Sequence, residues 1–563
     1  MIDYVVTTLR DNPELAIFLT LSIGYWLGKI RIKSFELGSV TGVLLAGILV
    51  GQLDITISAQ VKSVFFIMFL FAVGYGVGPQ FVRGIATDGA PQALFGAVIS
   101  LLCLLSVYAA VKIQGYDLGL AAGLLAGSQT ISASIGLATD AINNLGLAAD
   151  ETKRQLNLIP VGYAVCYLWG TIGTGLILSA LGPKLLGINL EEECKRYEQE
   201  LSGGQPAGAG QTAWRQVEMR AVQLKADSRA VGKTVDGAEK DLLDEGRIYT
   251  QGIRRNGEIM DFDGNTVFQT GDIVAASAKR DVMVRLIADA VEVEDRELLD
   301  VPVERVDVVM TKKEYAGKTI QELGEREHSR GVYLTKITRG ATSVDIPVLP
   351  NVQINRGDIL TIAGTKKDTQ RVVDAIGYAD RPTAMTDMVW VGLAIAVGGL
   401  IGALTVPVSG VPITLSTSGG ALIAGILLGW ARGVHPTFGR VPSGALWMMN
   451  SVGLNVFIAI VGISSGATFI AGLKEAGFGI FFWGIAATSV PMLLAPLIGK
   501  YIFRFDPAIN LGCCGGARTS TASVAMVGDA AKSNVPMLGY TVPYAVSNTL
   551  LTLWGLVIVL LIN

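Results

Sequence analysis

The sequence predicts an all-α membrane bundle of two inverted repeats, each of about five spans plus a re-entrant hairpin, around a central soluble α+β insert of two small modules. Three observations predict it. Half of the 563 residues are hydrophobic and only 17% are charged, against about 25% charged in soluble domains, and mean hydropathy is +0.48. The charge is also confined. Residues 182–381 are dense in Glu, Asp, Lys and Arg, whereas Leu, Ile, Val, Ala, Gly and Phe dominate on either side, the pattern of two lipid-embedded blocks around a water-soluble one. Finally, the two apolar blocks repeat each other in order.

Taken along the chain, apolar segments fall at residues 15–28, 37–51, 64–82, 90–111, 118–143 and 158–181. After the insert they fall at 388–406, 415–430, 446–470, 477–502, 509–529 and 538–562. Several approach the roughly 20 residues that cross a bilayer; 37–51 and 415–430 are short. The fifth segment of each block is interrupted by polar residues. Gly127-Ser128-Gln129-Thr130-Ile131-Ser132-Ala133-Ser134 aligns with Gly516-Ala517-Arg518-Thr519-Ser520-Thr521-Ala522-Ser523. The offset of 389 (518 − 129) also carries Asp140 onto Asp529. Ala46–Gly51 pairs with Ala424–Gly429, Val73-Gly74 and Gly78 with Val461-Gly462 and Gly466, and Tyr163-Ala164-Val165 with Tyr544-Ala545-Val546. A conserved order of matches across both blocks is the mark of a duplicated membrane unit. Glycines spaced by four (Gly74, Gly78, Gly462, Gly466) read as helix-packing positions rather than ligand contacts.

Topology follows from how the polar segments cross. If each enters and leaves on one side, every half has five true spans and the halves are inverted. With the N-terminus outside, Lys29, Arg31, Lys33, Arg83, Arg432, Arg440, Lys500, Arg504 and Lys532 then face the cytoplasm, in keeping with the positive-inside bias. If the segments cross fully, each half has six spans and the repeats are parallel. The charge pattern favours inversion without eliminating the parallel case. Asp3, Asp11 and Glu14, with no basic n-region, predict that the first apolar segment is retained as a helix rather than cleaved.

The expected domains are residues 1–184 (first membrane repeat), 185–214 (cytoplasmic helix and linker), 215–292 and 300–380 (two modules), and 381–563 (second membrane repeat). Residues 202–210 read as a flexible Gly/Pro/Ala linker. In the modules, Val231-Gly232-Lys233-Thr234-Val235 recurs as Ala316-Gly317-Lys318-Thr319-Ile320, and Gly271-Asp272-Ile273 as Gly357-Asp358-Ile359. The Gly-Lys-Thr triplets lack the upstream glycine of a phosphate-binding P-loop and read as helix-start turns. No GxGxxG follows a strand, so a dinucleotide site is unsupported.

Irregular polar backbone at membrane depth is tolerated only where it is buried in protein or lines a wet cavity. Broken helix ends present N–H donors that attract anions. Arg518 stands out, because a guanidinium inside an apolar segment is unfavourable by about 2.5–3.5 kcal/mol and binds carboxylates bidentately. It reads as a clamp for a substrate carboxylate, as the partner of a fixed acid such as Asp529 or Asp140, or as a side chain snorkelling to the cytoplasmic face. Gln129, its counterpart, is neutral, so the two halves are expected to hold different ends of one ligand; helix packing is the alternative. Thr130, Ser132, Ser134, Thr519, Ser520, Thr521 and Ser523 complete the expected substrate-binding set, although small hydroxyl residues also glue membrane helices together. Asp140 and Asp529, each eleven residues beyond, are read as hairpin exits, capping or pairing with Lys532 rather than carrying protons.

Five cysteines without metal spacing and two histidines, His328 and His435, predict no disulfide, no metal site, no cofactor and no catalytic constellation. No basic stripe interleaved with aromatics suggests nucleic acid.

The paired signatures GSQTISASIGLATDA and GGARTSTASVAMVGDA, the duplicated halves and the tandem modules resemble the aspartate:alanine exchanger family of bacterial secondary transporters. The modules resemble the RCK-C, or TrkA-C, domain of potassium-transport regulators. The resemblance covers nearly the whole chain. It implies one-for-one exchange of amino acids or dicarboxylates across the bacterial inner membrane, typically L-aspartate in for L-alanine out. It further implies a homodimer in the lipid bilayer whose hairpin-bearing parts move in an elevator-like way, substrate contacts at the Gln129 and Arg518 motifs, and a possible small-molecule regulator at the modules. A succinate-like dicarboxylate exporter of the same fold, and a cation channel or cation:proton antiporter gated by the modules, stand as alternatives; no TVGYG filter run is present. A membrane enzyme is not expected.

Overall fold

The structure, a computed structural model, describes residues 2–32, 35–36, 38–86, 89–201, 217–241, 248–288, 290–339, 344–380, 385–408, 411–434 and 439–563. Lys33, His435 and the linker at 202–210 lie outside them. The chain divides into one unit formed by both apolar blocks and a second formed by the insert.

The first block places α1 (Pro13–Gly28), α2 (Ser39–Gly51), α3 (Ala59–Ala86) and α4 (Ala90–Gln114) before a pair of half-length helices, α5 (Leu118–Ser128) and α6 (Ala133–Asn144). Then comes α7 (Ala149–Leu176), prolonged by a π-helical turn over Ile177–Leu181 and a last turn over Gly182–Leu186. Local sequence sets the boundaries. In α4, Pro91 occupies the first turn and Gly115 closes the end with φ +68, the asymmetry expected of a residue without N–H at the start and one without Cβ at the end. The polar helix α8 (Leu190–Leu201) carries Glu191, Glu192 and Glu193 in its first turn, where the helix dipole favours acids.

Both modules of the insert are antiparallel sheets. In the first, β1 (Val217–Leu224), β2 (Ile248–Arg255), β3 (Glu258–Met260), β4 (Ile273–Lys279) and β5 (Ala290–Val293) lie in the order β3-β2-β4-β1-β5. In the second, β6 (Val303–Met310), β7 (Val332–Arg339), β8 (Ile359–Thr365) and β9 (Gly377–Ala379) repeat the inner part as β7-β8-β6-β9. Helix α9 (Lys366–Ile376) follows β8. The repeated motifs turn the chain. Gly232 and Gly317 hold φ of +82 and +80. Thr319 caps the helix Ile320–Gly324 in a reciprocal box with Glu322, so the Gly-Lys-Thr triplets are helix-start turns. Asp272 and Asp358 each accept from the backbone three residues earlier, Gln269 N at 2.7 Å and Asn355 N at 2.7 Å, closing the turn before β4 and before β8.

The second block supplies α10 (Met388–Gly402), α11 (Ser416–Val434), α12 (Ser443–Ala476), α13 (Gly479–Tyr501), the half-helices α14 (Pro507–Ala517) and α15 (Thr521–Ala531), and α16 (Met537–Ile562). Among the described residues six helices are long and apolar enough to cross a membrane, three per block: α3, α4 and α7 with its extension, then α12, α13 and α16. Two shorter helices accompany each trio. Packing repeats with the roles of the halves exchanged: α1 lies on α2 as α10 on α11, α2 crosses α12 as α11 crosses α3, and α5 lies on α7 as α14 on α16. At the crossings backbones touch. A Cβ on Gly47 would lie 2.9 Å from the Ala459 carbonyl oxygen, and one on Gly462 would lie 2.9 Å from that of Leu44. Gly74 and Gly78 face Leu422 and Ile426 in the same way.

Ion pairs fix the direction of the half-helices. Asp506, at the start of α14, pairs with Arg196 at 2.7 Å, and Lys532, just past α15, pairs with Glu191 at 3.1 Å. Both partners lie on α8, so this hairpin enters and leaves at one face. A Cβ on Gly515 would meet that of Val524 at 3.2 Å, whereas nine residues of straight helix span about 13 Å; the chain turns back on itself. At the start of α5, Asp117 pairs with Arg154 at 2.5 Å, near the beginning of α7, and Gly119 N donates to Gln155 Oε1 at 2.8 Å. That beginning follows the end of α6 by only a few residues. The first hairpin therefore opens at the start of the span Ala149–Leu186 and the second beyond its end, so they enter from opposite faces and the repeats are inverted.

Candidate substrate site between two hairpins

Each hairpin breaks by the same backbone device. Gln129 caps α5 and Thr130 follows with φ +53; Arg518 caps α14 and Thr519 follows with φ +56. Thr130 N donates to Gly127 O (3.1 Å) and Ile131 N to Ala126 O (3.0 Å). Thr519 N donates to Gly516 O (2.8 Å) and Ser520 N to Gly515 O (3.2 Å). This is a Schellman termination, whose left-handed position ordinarily holds glycine. A β-branched residue there is strained, by about 1–3 kcal/mol, and such strain gathers at ligand sites. Among the described residues the buried hydroxyls of Thr130 and Thr519 find no hydrogen-bond partner, which is costly unless something else satisfies them.

The two breaks bring Gln129 and Arg518 into direct contact, both completely buried. Arg518 Nη1 donates to Gln129 Oε1, Nη2 to the Ser128 carbonyl, and Nε to Thr174 Oγ1 at 3.2 Å. Gln129 Nε2 donates to Ser128 Oγ (3.0 Å) and to the Ala487 carbonyl (3.1 Å), and Thr488 Oγ1 donates to the Ser128 carbonyl at 2.9 Å. Every acceptor of the guanidinium is neutral. Among the described residues no carboxylate lies within ion-pair distance of it. A desolvated charge without a counter-charge is among the most unfavourable groups a protein can bury, and a carboxylate reaching Arg518 would replace neutral acceptors by charge-assisted, bidentate bonds.

The remaining residues singled out by the sequence divide. Ser132 Oγ bonds the Tyr163 hydroxyl at 2.6 Å, and Ser134 Oγ returns to the Ile131 carbonyl at 2.8 Å. Ser520 caps α15 by accepting from Ser523 N at 3.2 Å, with the two hydroxyls 2.7 Å apart. Thr521 is exposed and stands outside this cluster. The Asp140 carboxylate accepts from Ser416 and Ser418 and feels the charge of Lys62; Asp529 is exposed. Neither acid reaches Arg518, and Lys532 pairs with Glu191 rather than with Asp529. Sequence reading passed over Thr174, Thr488 and the Ser128 and Ala487 carbonyls. Isolated hydroxyls in apolar helices look alike whether they line a site or join two helices, and a carbonyl leaves no trace in the sequence.

Opposed hairpins, broken at strained residues and meeting at a buried cation inside an apolar bundle, define a multi-pass membrane transport protein. Residues 16–183 and 390–560 match the aspartate–alanine exchanger family, described as a predicted permease membrane region, and residues 219–288 and 303–377 match the TrkA-C domain. The chain belongs to that exchanger family. It is 50% identical over 564 residues to an uncharacterized transporter of Shewanella oneidensis, covering all of both chains. It is 38% identical to one of Bradyrhizobium diazoefficiens over 92% of this chain and all of that one, and 34% identical to one of Bordetella parapertussis over 99% and 98%. No solved structure matches the chain.

Proposed function

We propose that this transporter is a secondary-active antiporter of small carboxylates, taking L-aspartate in and releasing L-alanine across the bacterial inner membrane, with Arg518 as the carboxylate clamp. The observation that carries this reading is a fully buried guanidinium whose partners are all neutral. Both amino acids bring an α-carboxylate that supplies the missing charge. Gln129 faces the ligand's other end as a neutral donor and acceptor, and the unsatisfied hydroxyls of Thr130 and Thr519 add one contact from each hairpin. Hairpins entering from opposite faces suit alternating access to a single central site. The protein works as a homodimer in which hairpin-bearing parts move in an elevator-like way, with the insert cytoplasmic. Because aspartate carries one more negative charge than alanine, each cycle moves negative charge inward. Ser132, Ser134, Ser520 and Ser523 shape the hairpin tips around the ligand.

The test is counterflow in proteoliposomes loaded with unlabelled alanine, aspartate or succinate and offered labelled aspartate or labelled succinate. Wild-type exchange with aspartate and alanine, lost in Arg518→Ala protein that still inserts, is the expected result. Exchange retained at unchanged affinity in that variant would end the clamp, and exchange confined to succinate-like dicarboxylates would replace the amino-acid pair. Ion flux without any carboxylate would replace antiport altogether.

A further inference from the structure

We propose that Asn548 recognises a second carboxylate on the ligand and so sets the preference for an acidic amino acid over a neutral one. The assignment rests on the carboxylate-exchange reading above and extends it to the end of the ligand that Arg518 does not hold.

The backbone places Asn548 between the two hairpin tips. Helix α14 runs alongside α16 in the same direction. A Cβ on Gly512 would meet the Pro536 carbonyl, and one on Gly516 would meet the Tyr540 carbonyl and lie 3.1 Å from Tyr544 N. The tip at Thr519, three residues beyond Gly516, therefore stands alongside α16 just past Tyr544. The other hairpin reaches α16 from its far end. There a Cβ on Gly555 would lie 2.9 Å from Ser134 Cα, four residues past Thr130. Both tips thus approach the stretch between Tyr544 and Gly555. Positions 540, 544, 548, 551 and 555 are spaced by four, four, three and four, so they share one face of the helix. Along its axis Asn548 is about 6 Å from Tyr544 and about 10 Å from Gly555.

Its amide differs from those of the other asparagines buried in the apolar blocks. Asn455 Nδ2 donates to the Tyr25 hydroxyl (3.1 Å) and the Ser451 carbonyl (2.7 Å), and Asn510 Nδ2 to the Pro496 carbonyl (3.0 Å). Asn548 is only 6% exposed, yet its Nδ2 finds no acceptor among the described residues. An amide kept there to join helices would have a partner. A buried donor without one is unfavourable, and a ligand that brings an acceptor relieves it. The hydroxyls of Thr130 and Thr519, on the adjoining tips, are in the same condition among the described residues. Gln129 is not, because its Nε2 already donates to Ser128 Oγ and the Ala487 carbonyl.

The charge distribution points to the same group on the ligand. Among the described residues of the apolar blocks, Arg518 is the only lysine or arginine that is buried. With the α-carboxylate on Arg518, an acidic side chain has to be met by neutral donors, and Asn548 supplies one in a charge-assisted bond. Alanine carries a methyl group where aspartate has its second carboxylate, so it leaves Nδ2 unpaired. A site built to hydrogen-bond one ligand group discriminates against a ligand that lacks it.

Counterflow in proteoliposomes tests the assignment, by comparing half-saturation concentrations for labelled aspartate and labelled alanine in wild type, Asn548→Ala and Asn548→Asp. Wild type should take aspartate at the lower concentration. In Asn548→Ala the aspartate value should rise about tenfold or more relative to the alanine value. Asn548→Asp, of the same shape but with a like charge, should raise the ratio further. A merely structural role would move both ligands together, so parallel shifts, or no shift in either variant, overturn the assignment. Wild type that takes alanine as readily as aspartate overturns it without any variant. If one variant fails to insert, the other decides. Wild type that exchanges no carboxylate overturns the transport reading as well, whereas exchange with an unaltered aspartate-to-alanine ratio overturns the role of Asn548 alone.

Discussion

The two hairpins share a skeleton and differ in chemistry. Each ends its first half-helix with the same pair of backbone hydrogen bonds and passes through a left-handed threonine whose hydroxyl is unsatisfied. At the residue before that threonine, one hairpin offers Gln129 and the other Arg518. The next turns diverge as well. Ser132 spends its hydroxyl on Tyr163, whereas Ser520 caps its own helix; Asp140 is held by Ser416 and Ser418, whereas Asp529 is exposed. Duplication thus supplies a symmetric cradle, and substitution at one matched position gives it polarity. A site with a cation on one side and an amide on the other can tell the ends of an amino acid apart, which a perfectly symmetric site cannot.

The largest effect should come from erasing that difference. Arg518→Gln removes charge-assisted bonds that contribute about 1.5–3 kcal/mol each, so the half-saturation concentration for labelled aspartate should rise about a hundredfold. Exchanging the residues, Gln129→Arg with Arg518→Gln, should restore part of the exchange if the cradle is symmetric; no gain over Arg518→Gln would show that the surroundings of the two tips are not equivalent. A smaller effect is expected at Gly516, where a Cβ would collide with the Tyr540 carbonyl and lie 3.1 Å from Tyr544 N. Gly516→Ala should cost about 1–3 kcal/mol of stability, seen as a lower melting temperature in detergent. Gly127→Ala, the matched change against Tyr163, should do the same.

Thr130→Gly and Thr519→Gly relieve left-handed strain of about 1–3 kcal/mol, partly offset by the glycine's freedom in the unfolded chain. The melting temperature should rise slightly while aspartate affinity falls; a rise without loss of affinity would mean that these hydroxyls do not meet the ligand. The smallest effect lies in the insert. His328 is partly buried against Tyr315, its Nε2 has no partner among the described residues, and burial followed by the Arg326 charge holds its pKa below the ordinary value. The unfolded chain therefore binds the proton more readily. His328 should lower stability as pH falls below about 6.5 and be without effect above it, so wild type should lose more thermal stability than His328→Gln between about pH 7.5 and 5.5.

Much of this architecture was legible in the residues. Charge density separated the blocks from the insert, and the matched polar octets located both breaks to within a residue or two. The roles of Gly74 and Gly462 as helix crossings also followed from their spacing. The partners of Arg518 were not legible. Asp140 and Asp529 were the fixed acids the matched motifs offered it, yet neither reaches it, and Thr174 and Thr488 gave no signal apart from other hydroxyls in apolar helices. Similarly, the Gly-Lys-Thr triplets drew attention to the insert, where Thr319 serves as a helix cap.

What the sequence determined by itself is everything that depends on local composition and period: which stretches seek lipid, where helices must break, and that one unit was used twice. Tertiary structure alone decided that the hairpins enter from opposite faces, because the ion pairs of Asp506, Lys532 and Asp117 join positions hundreds of residues apart or across separate elements. It alone decided that Arg518 meets Gln129 rather than an acid. A buried charge takes its partners from whatever the packing brings within reach, and that is a property of the assembled bundle rather than of any segment.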